Sequence, residues 1–436
     1  MNWFLSESRI LRFASFAVYY LAQGLPIGLI SIALPAWLSE QGVSTSDIAF
    51  FVAISGLPWA FKLVAGPIMD RFSFLPMGRR RPWIVGSQIG LVAAMVLLSF
   101  VPDPSNQIVL LTWAAFAVNC FGAVQDVAVD GMAIDVLPHD ERGRANSFMA
   151  FGQVAGYAGS GALSAMALVN FGLLGAGLLL TFGLILIFIW GLVVRERRGE
   201  RIVPWSKGEA LSRSITLQAD NWLSIVRNLQ LVFFLKASLI MIAVTGCWRI
   251  AAGFWLVGAP VLATQELGYA STVYSYWTST FSLIAAVLGL LLGPVVDKIG
   301  SQKTLFVALI GYGLTFFIAG SFVDYWQVPT FALGIVASEA LFNQAIFISF
   351  IALHMSICWN KVSATQFAIY MAWANLGRSI GAEIFGRVSP LITQDQAFLI
   401  MGALAFLGAG LLLTLRLKSH ARRLEALNEA ELARVS

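Results

Sequence analysis

Apolar runs recur along the whole chain, each bounded by a short polar or Gly/Pro-containing turn. Twelve can be drawn, near residues 11–38, 47–69, 82–101, 108–134, 144–168, 172–194, 230–263, 271–296, 303–322, 329–356, 362–388 and 396–416. Each is long enough to cross about 30 Å of hydrocarbon as an α-helix of roughly 20 residues. The odd-to-even turns 39–46, 102–107, 169–171, 264–270, 323–328 and 389–395 contain no Lys or Arg. The opposite side carries Arg9, Arg12, Arg71, Arg79 to Arg81, Arg142, Arg144, Lys298, Lys303, Lys361 and a basic tail. Cytoplasmic loops retain such an excess of Lys and Arg, so the pattern predicts a multi-pass protein of the cytoplasmic (inner) membrane with both termini in the cytoplasm.

A single long polar stretch interrupts the series and sets the expected organisation. Residues 1–194 form an N-terminal six-helix bundle, 195–228 a cytoplasmic linker, 229–417 a C-terminal six-helix bundle and 418–436 a cytoplasmic tail. The tail is expected to lie on the surface as a short helix of mixed charge. An internal repeat supports two related halves. Gly66-Pro67-Ile68-Met69-Asp70-Arg71 closes span two, and Gly293-Pro294-Val295-Val296-Asp297-Lys298 closes span eight. Parallel halves of this kind mark rocking-bundle transporters, whose site lies between the halves near the midplane. Gly24-Leu25-Pro26, Gly56-Leu57-Pro58 and Gly258-Ala259-Pro260 fall inside spans one, two and seven, where moving helices need breaks.

Composition narrows the class without changing it. The 436 residues are 58% hydrophobic and 12% charged, outside the range of soluble domains. The net charge of +5 is a topological signal here and not a nucleic-acid one. Cys120, Cys247 and Cys358 lie in apolar spans without paired or metal-type spacing, so neither metal nor cofactor is expected. No nucleophile–base pair points to an enzyme. The first span lacks a small-residue cleavage site and is expected to be retained.

The chemistry resides in the polar residues set against this apolar background. A carboxylate in the bilayer core costs roughly 2.5–3.5 kcal/mol on insertion scales, so several on one helix need partners or water. Span four carries Gln125, Asp126, Asp130 and Asp135, with Asp126 and Asp130 four apart on one face. Lys62 in span two stands at a similar depth, about 12–13 Å in from the inner end. A pairing of Lys62 with Asp126 or Asp130 is allowed, either as a static bridge or as one exchanged for substrate or proton. The second half contributes Trp248 and Arg249 in span seven, Glu339, Asn343 and Gln344 in span ten, and Arg378 and Glu383 in span eleven. His354 is expected at a solvated or headgroup position. Lys62, Arg249 and Arg378 suit an anionic solute. Gln125, Tyr20, Gln23, Trp248 and Asn343 are further binding candidates. Asp126, Asp130, Glu339 and Glu383 are candidates for proton coupling, since low dielectric favours the protonated carboxyl.

Three motifs together resemble a known family. Lys62 to Arg71 (K-L-V-A-G-P-I-M-D-R), Gly78-Arg79-Arg80-Arg81-Pro82-Trp83, and Ala123 to Asp130 (A-V-Q-D-V-A-V-D) are similar to motifs of the major facilitator superfamily. Within it they resemble the AmpG-type muropeptide permeases and the related acetyl-coenzyme A transporters. The Leu21–Pro26 stretch, L-A-Q-G-L-P, is similar too. The specific match covers mainly spans one to five. The resemblance implies an all-α fold of twelve transmembrane helices in two pseudo-symmetric six-helix bundles. It also implies proton-driven uptake or exchange of a bulky anionic metabolite by a monomer embedded in the lipid bilayer. By that resemblance Lys62, Gln125, Asp126 and Asp130 are functional positions. Asp70, Arg71, Arg79, Arg80 and Arg81, with Asp297 and Lys298 in the repeat, form the gating motif. After Asp130 the chain reads Gly131-Met132-Ala133-Ile134-Asp135, where muropeptide permeases tend to have a basic residue and a Glu. Siderophore permeases and acyl-coenzyme A exchangers are therefore alternatives, and a non-transporting membrane scaffold or assembly factor is the alternative of another class.

Overall fold

The computed structural model describes residues 3–138, 141–210, 233–359 and 363–435. Within them the side chains of Asp70, Arg71, Arg142, Arg144 and Asp297 lie outside the described residues, as do linker residues 211–228 and Lys361 altogether. The described chain is helical almost throughout, joined by short turns. Helix α1 spans Arg9–Glu40. The second crossing is broken into α2 (Thr45–Ala60) and α3 (Lys62–Arg71). Then follow α4 (Arg81–Ser99), α5 (Ile108–Val136) and α6 (Arg142–Val193). In the second half come α7 (Lys236–Glu266), α8 (Ser271–Ile299), α9 (Ser301–Ser321) and α10 (Pro329–Ile357). Helices α11 (Ser363–Val388), α12 (Gln394–Leu413) and α13 (Leu417–Val435) complete the chain.

Nine of the described helices are long and apolar enough to cross a membrane. The tally reaches twelve crossings for physical reasons. Helix α6 holds two spans, because Gly172 (φ 63, ψ −170) folds the chain back inside one run. The break between α2 and α3 divides another crossing into pieces too short to count alone. Helix α11 carries Arg378, Glu383 and Arg387, which dilute its hydropathy.

The two halves repeat one packing scheme. The first limb of α6 packs along α1, as α11 packs along α7; α4 lies against α5 and α6, as α9 lies against α10 and α12. The α1–α6 and α7–α11 pairs approach so closely that only glycine fits the seam. A Cβ on Gly24 would lie 2.3 Å from the Gln153 carbonyl oxygen, and one on Gly253 would lie 2.3 Å from that of Arg378. Small residues let membrane helices gain van der Waals contact where no hydrophobic effect operates between them.

Pro26 and Pro260 occupy matching places in α1 and α7. Each lacks an N–H and crowds the preceding turn, and each is followed by a wide π-turn, Leu29–Ala33 and Leu262–Glu266. Beyond these turns the halves meet on the side of the molecule away from the termini. There the Thr264 hydroxyl donates to Ser39 Oγ at 2.7 Å, and Gln265 Nε2 donates to the carbonyls of Ser39 (3.0 Å) and Val43 (2.9 Å). Ser271 donates to the Glu40 carboxylate. Below this seal α2 packs on α11 and α6 on α8.

The termini side is tied within each half. Arg12 clasps Glu141 with two hydrogen bonds of 2.8 and 2.7 Å and donates a third to Leu5 O, fixing the start of α1 to the turn before α6. In the second half α13 docks through His420, whose Nε2 meets Ile357 O at 2.9 Å, and through Leu424 and Leu427 on Trp359.

Candidate functional site

The break in span two builds one wall of the site. At Phe61 the backbone leaves helical geometry (φ −88, ψ 6), so the preceding carbonyls lose helical partners. The Trp59 carbonyl takes a hydrogen bond from Asn375 Nδ2 of α11 at 3.2 Å, a link between the halves in mid-membrane. The Trp59 indole donates to Asn119 Oδ1 (2.9 Å), whose amide donates to Ser55 O (2.7 Å). On this braced indole sits the Lys62 ammonium, 4.5 Å from the ring centroid, ion-paired with Asp126. The pairing allowed by depth is therefore made, and with Asp126 and not Asp130.

Asp130 takes a different partner, accepting a hydrogen bond from the Tyr20 hydroxyl of α1. It is exposed to solvent, although it lies only about 9 Å inside the end of α5. Lys62 is 21% exposed, whereas Asp126 behind it is 4% exposed. With the far side sealed, these exposures mark a crevice that enters from the termini side. Gln125 turns away from it, donating to Tyr19 O at 3.0 Å from a buried position. Gln23 is buried and accepts from Gln153 Nε2 at 3.3 Å. Both amides stiffen the first half behind the crevice.

The opposite wall comes from the second half. Arg249 donates from Nε to Ala374 O at 2.8 Å and lies with its guanidinium carbon 4.8 Å from the Trp248 ring centroid. Trp248 is a buried strut that donates to Asn343 Oδ1 at 2.9 Å, which consumes both residues as free binding groups. Arg378 adjoins Arg249, because a Cβ on its neighbour Gly377 would stand 3.1 Å from Arg249 Cβ. Glu339 is buried and faces the Tyr312 hydroxyl at 3.5 Å.

Two expectations need correcting. Glu383 stands outside this cluster, paired with Arg387 one turn on at 2.7 Å, with side chains 37% and 77% exposed. The i,i+4 spacing satisfies it within its own helix. His354 is not solvated. It is fully buried between Phe350 and Tyr370, with Nδ1 at 2.9 Å from Phe350 O.

The arginine run after span two does structural work that its composition did not reveal. Glu196, in the stretch read as a plain polar linker, accepts from the backbone N–H groups of Arg79 (3.3 Å), Arg80 (2.8 Å) and Arg81 (2.7 Å). Gly78 precedes them with φ 103, and a Cβ there would strike the Glu196 carboxylate at 2.7 Å, so a side chain is excluded twice over. Arg81 is buried and caps the end of α6, donating to the carbonyls of Gly191, Leu192, Arg201 and Ile202. Arg79 and Arg80 bind Asp135 at 3.1 and 3.4 Å. Lys298 is exposed. Asp70, Arg71 and Asp297 belong to the same motif but lie outside the described side chains.

Beside Glu196, burial and the neighbouring Glu196 charge push the Glu200 carboxyl up to about 8, against hydrogen bonding from Arg197 N–H and the charges of Arg81 and Arg197. The folded protein thus keeps a proton that the unfolded chain releases near 4.5, so this group costs stability as pH rises from about 4.5 to about 8. Glu200→Gln is expected to melt several degrees above the parent protein at pH 8 and alongside it at pH 5. Equal melting points at pH 8 would remove the effect.

Comparison with known proteins places this architecture. The family model described as "Major Facilitator Superfamily" matches residues 13–261 and 246–435. The chain belongs to the major facilitator superfamily. This facilitator is 27% identical over 412 residues to the anhydromuropeptide permease of Escherichia coli (strain K12), covering 93% of this chain and 80% of that one. It is 25% identical over 417 residues to "Putative transporter AmpG 4" of Rickettsia conorii (strain ATCC VR-613 / Malish 7), covering 91% and 95%. The likeness to that branch therefore extends well beyond spans one to five. Among solved structures, a D-xylose-proton symporter superposes with a TM-score of 0.69 at 17% identity, covering 93% and 98%. A POT family transporter in complex with a thioalcohol-conjugated peptide gives 0.67 at 12%, covering 92% and 93%.

Proposed function

We propose that this facilitator is a proton-coupled permease that carries a bulky anionic solute, of the anhydromuropeptide class, across the cytoplasmic membrane. The carrying observation is the first-half network of Tyr20–Asp130 beside Lys62–Asp126, in which one carboxylate is neutralised by a lysine and the other is open to the crevice. An open carboxylate next to a second, paired one can take up a proton and pass the charge change to Lys62, which either holds Asp126 or is released from it. The termini lie in the cytoplasm on this reading, so the structure corresponds to a cytoplasm-facing state with residues 1–194 and 229–417 as the rocking units. Residues 195–210 move with the first bundle through Glu196 and Arg81.

The relatives' printed names favour a muropeptide over a siderophore or an acyl-coenzyme A ester, and the two opposed charged walls favour transport over a scaffold. Reconstituted in liposomes, the protein is expected to accumulate a labelled anhydromuropeptide under an inward proton gradient and to carry protons with it. Uptake of a ferric siderophore instead would replace the solute. Absence of uptake of every candidate, with a stoichiometric protein partner on purification, would sink the transport reading.

A further inference from the structure

The second-half wall contains two adjacent cations and nothing to neutralise them. Among the described residues no carboxylate lies within 4 Å of either Arg249 or Arg378, and Arg378 makes no side-chain hydrogen bond. Arg249 spends only one of its five N–H donors, on Ala374 O. Their helices cannot draw apart, because Gly253 and Gly381 hold α7 and α11 in backbone contact. Arg249 is about 20 Å along α7 from its start and Arg378 about 15 Å from the end of α11, so both stand deep in the bilayer. Buried charges in folded proteins are paired. The first half obeys that rule, with Lys62 matched by Asp126. Glu339 does not supply the missing charge, since its polar neighbour is Tyr312.

We infer that Arg249 and Arg378 form an oxyanion seat whose counter-ion is a carboxylate of the transported solute. Lys62, already neutralised, takes no part in holding that anion, and the first half faces the solute's uncharged portion. Two planar guanidinium forks side by side suit a carboxylate held by parallel hydrogen bonds. Tyr157, on α6 of the first half, lies within electrostatic reach of Arg378 and Glu339. A carboxylate on the arginines is therefore also presented to the opposite bundle, where its arrival can be read. The inference rests on the transport reading for the identity of the solute, not for the existence of the seat.

The test uses the full-length protein in detergent with three probes: an anhydromuropeptide, the same compound with its carboxyl groups amidated, and citrate. The parent protein is expected to bind the acid about 10- to 100-fold more tightly than the amide, the range of a charged hydrogen-bonded pair. Arg249→Gln and Arg378→Gln are each expected to bring that ratio close to one. Without ligand, Arg378→Gln should melt at or above the parent temperature, because the substitution removes a repulsion and breaks no described bond. An acid-to-amide ratio that survives both substitutions, or an unliganded melting point several degrees lower in both, overturns the seat. If neither muropeptide form binds but citrate stabilises the parent and not Arg378→Gln, the seat stands and the muropeptide reading falls. Indifference to all three probes overturns it.

Discussion

Asp130→Asn is expected to abolish accumulation against a gradient while sparing exchange of labelled for unlabelled solute. A proton gradient of one pH unit is worth about 1.4 kcal/mol per proton, or roughly tenfold accumulation for one proton per solute. The parent protein should approach that ratio in liposomes, and Asp130→Asn should stay near one. The amide keeps a hydrogen-bond acceptor for Tyr20 but carries no exchangeable charge. Asp126→Asn tests a different link. It leaves Lys62 without its carboxylate, and breaking a buried pair costs about 3–5 kcal/mol, so lower stability should accompany lost accumulation. Normal gradient-driven accumulation in Asp130→Asn would remove the coupling role.

The second large effect comes from the far-side seal. Ser39→Cys combined with Thr264→Cys places two thiols where the hydroxyl oxygens are now 2.7 Å apart. With Cys120, Cys247 and Cys358 replaced, oxidation should form a disulfide that holds the seal shut and drop transport to background. Reductant should restore it fully. A cross-linked protein that transports at the parent rate would mean that the seam between α1 and α7 need not open. The prediction is specific to alternation about this seam, because Ser39 and Thr264 are remote from every charged residue of the crevice.

What could be read from the amino-acid sequence follows the physics of the bilayer. Lys62 and Asp126 stood out because a charge in hydrocarbon is expensive, and the rise per helical residue placed them at one depth. Depth is one coordinate, however, and azimuth is another. Whether Asp130 faced Lys62 or α1 depended on how α1 sits against α5, which nothing within α5 encodes. For the same reason Tyr20 could be picked only as a polar residue in an apolar helix, not as the Asp130 partner. Trp59 and Asn119 escaped notice because an aromatic and an amide beside Pro58 read as ordinary packing. Their importance arises from the carbonyls released where the helix breaks. Glu196 was hidden by its setting, since a run of charges normally means a solvated loop. The signal that could have found it is Gly78 followed by three arginines, a glycine-led turn whose N–H groups needed an acceptor. Glu383 misled for the opposite reason: Arg387 lies one turn away and settles its charge locally.

The π-turns in α1 and α7 carry a consequence for how this protein can change by insertion or deletion. Each such turn accommodates one residue more than an α-turn would. Deleting a single residue from Leu29–Ala33 or Leu262–Glu266 would let the backbone relax to the commoner helix and swing everything beyond it by about 100°. Ser39 and Glu40, or Thr264 and Gln265, would then point past one another. The two halves are thus phased like matched threads on a screw, and a lineage that lost one extra residue would have to lose its counterpart as well to keep the pieces engaging.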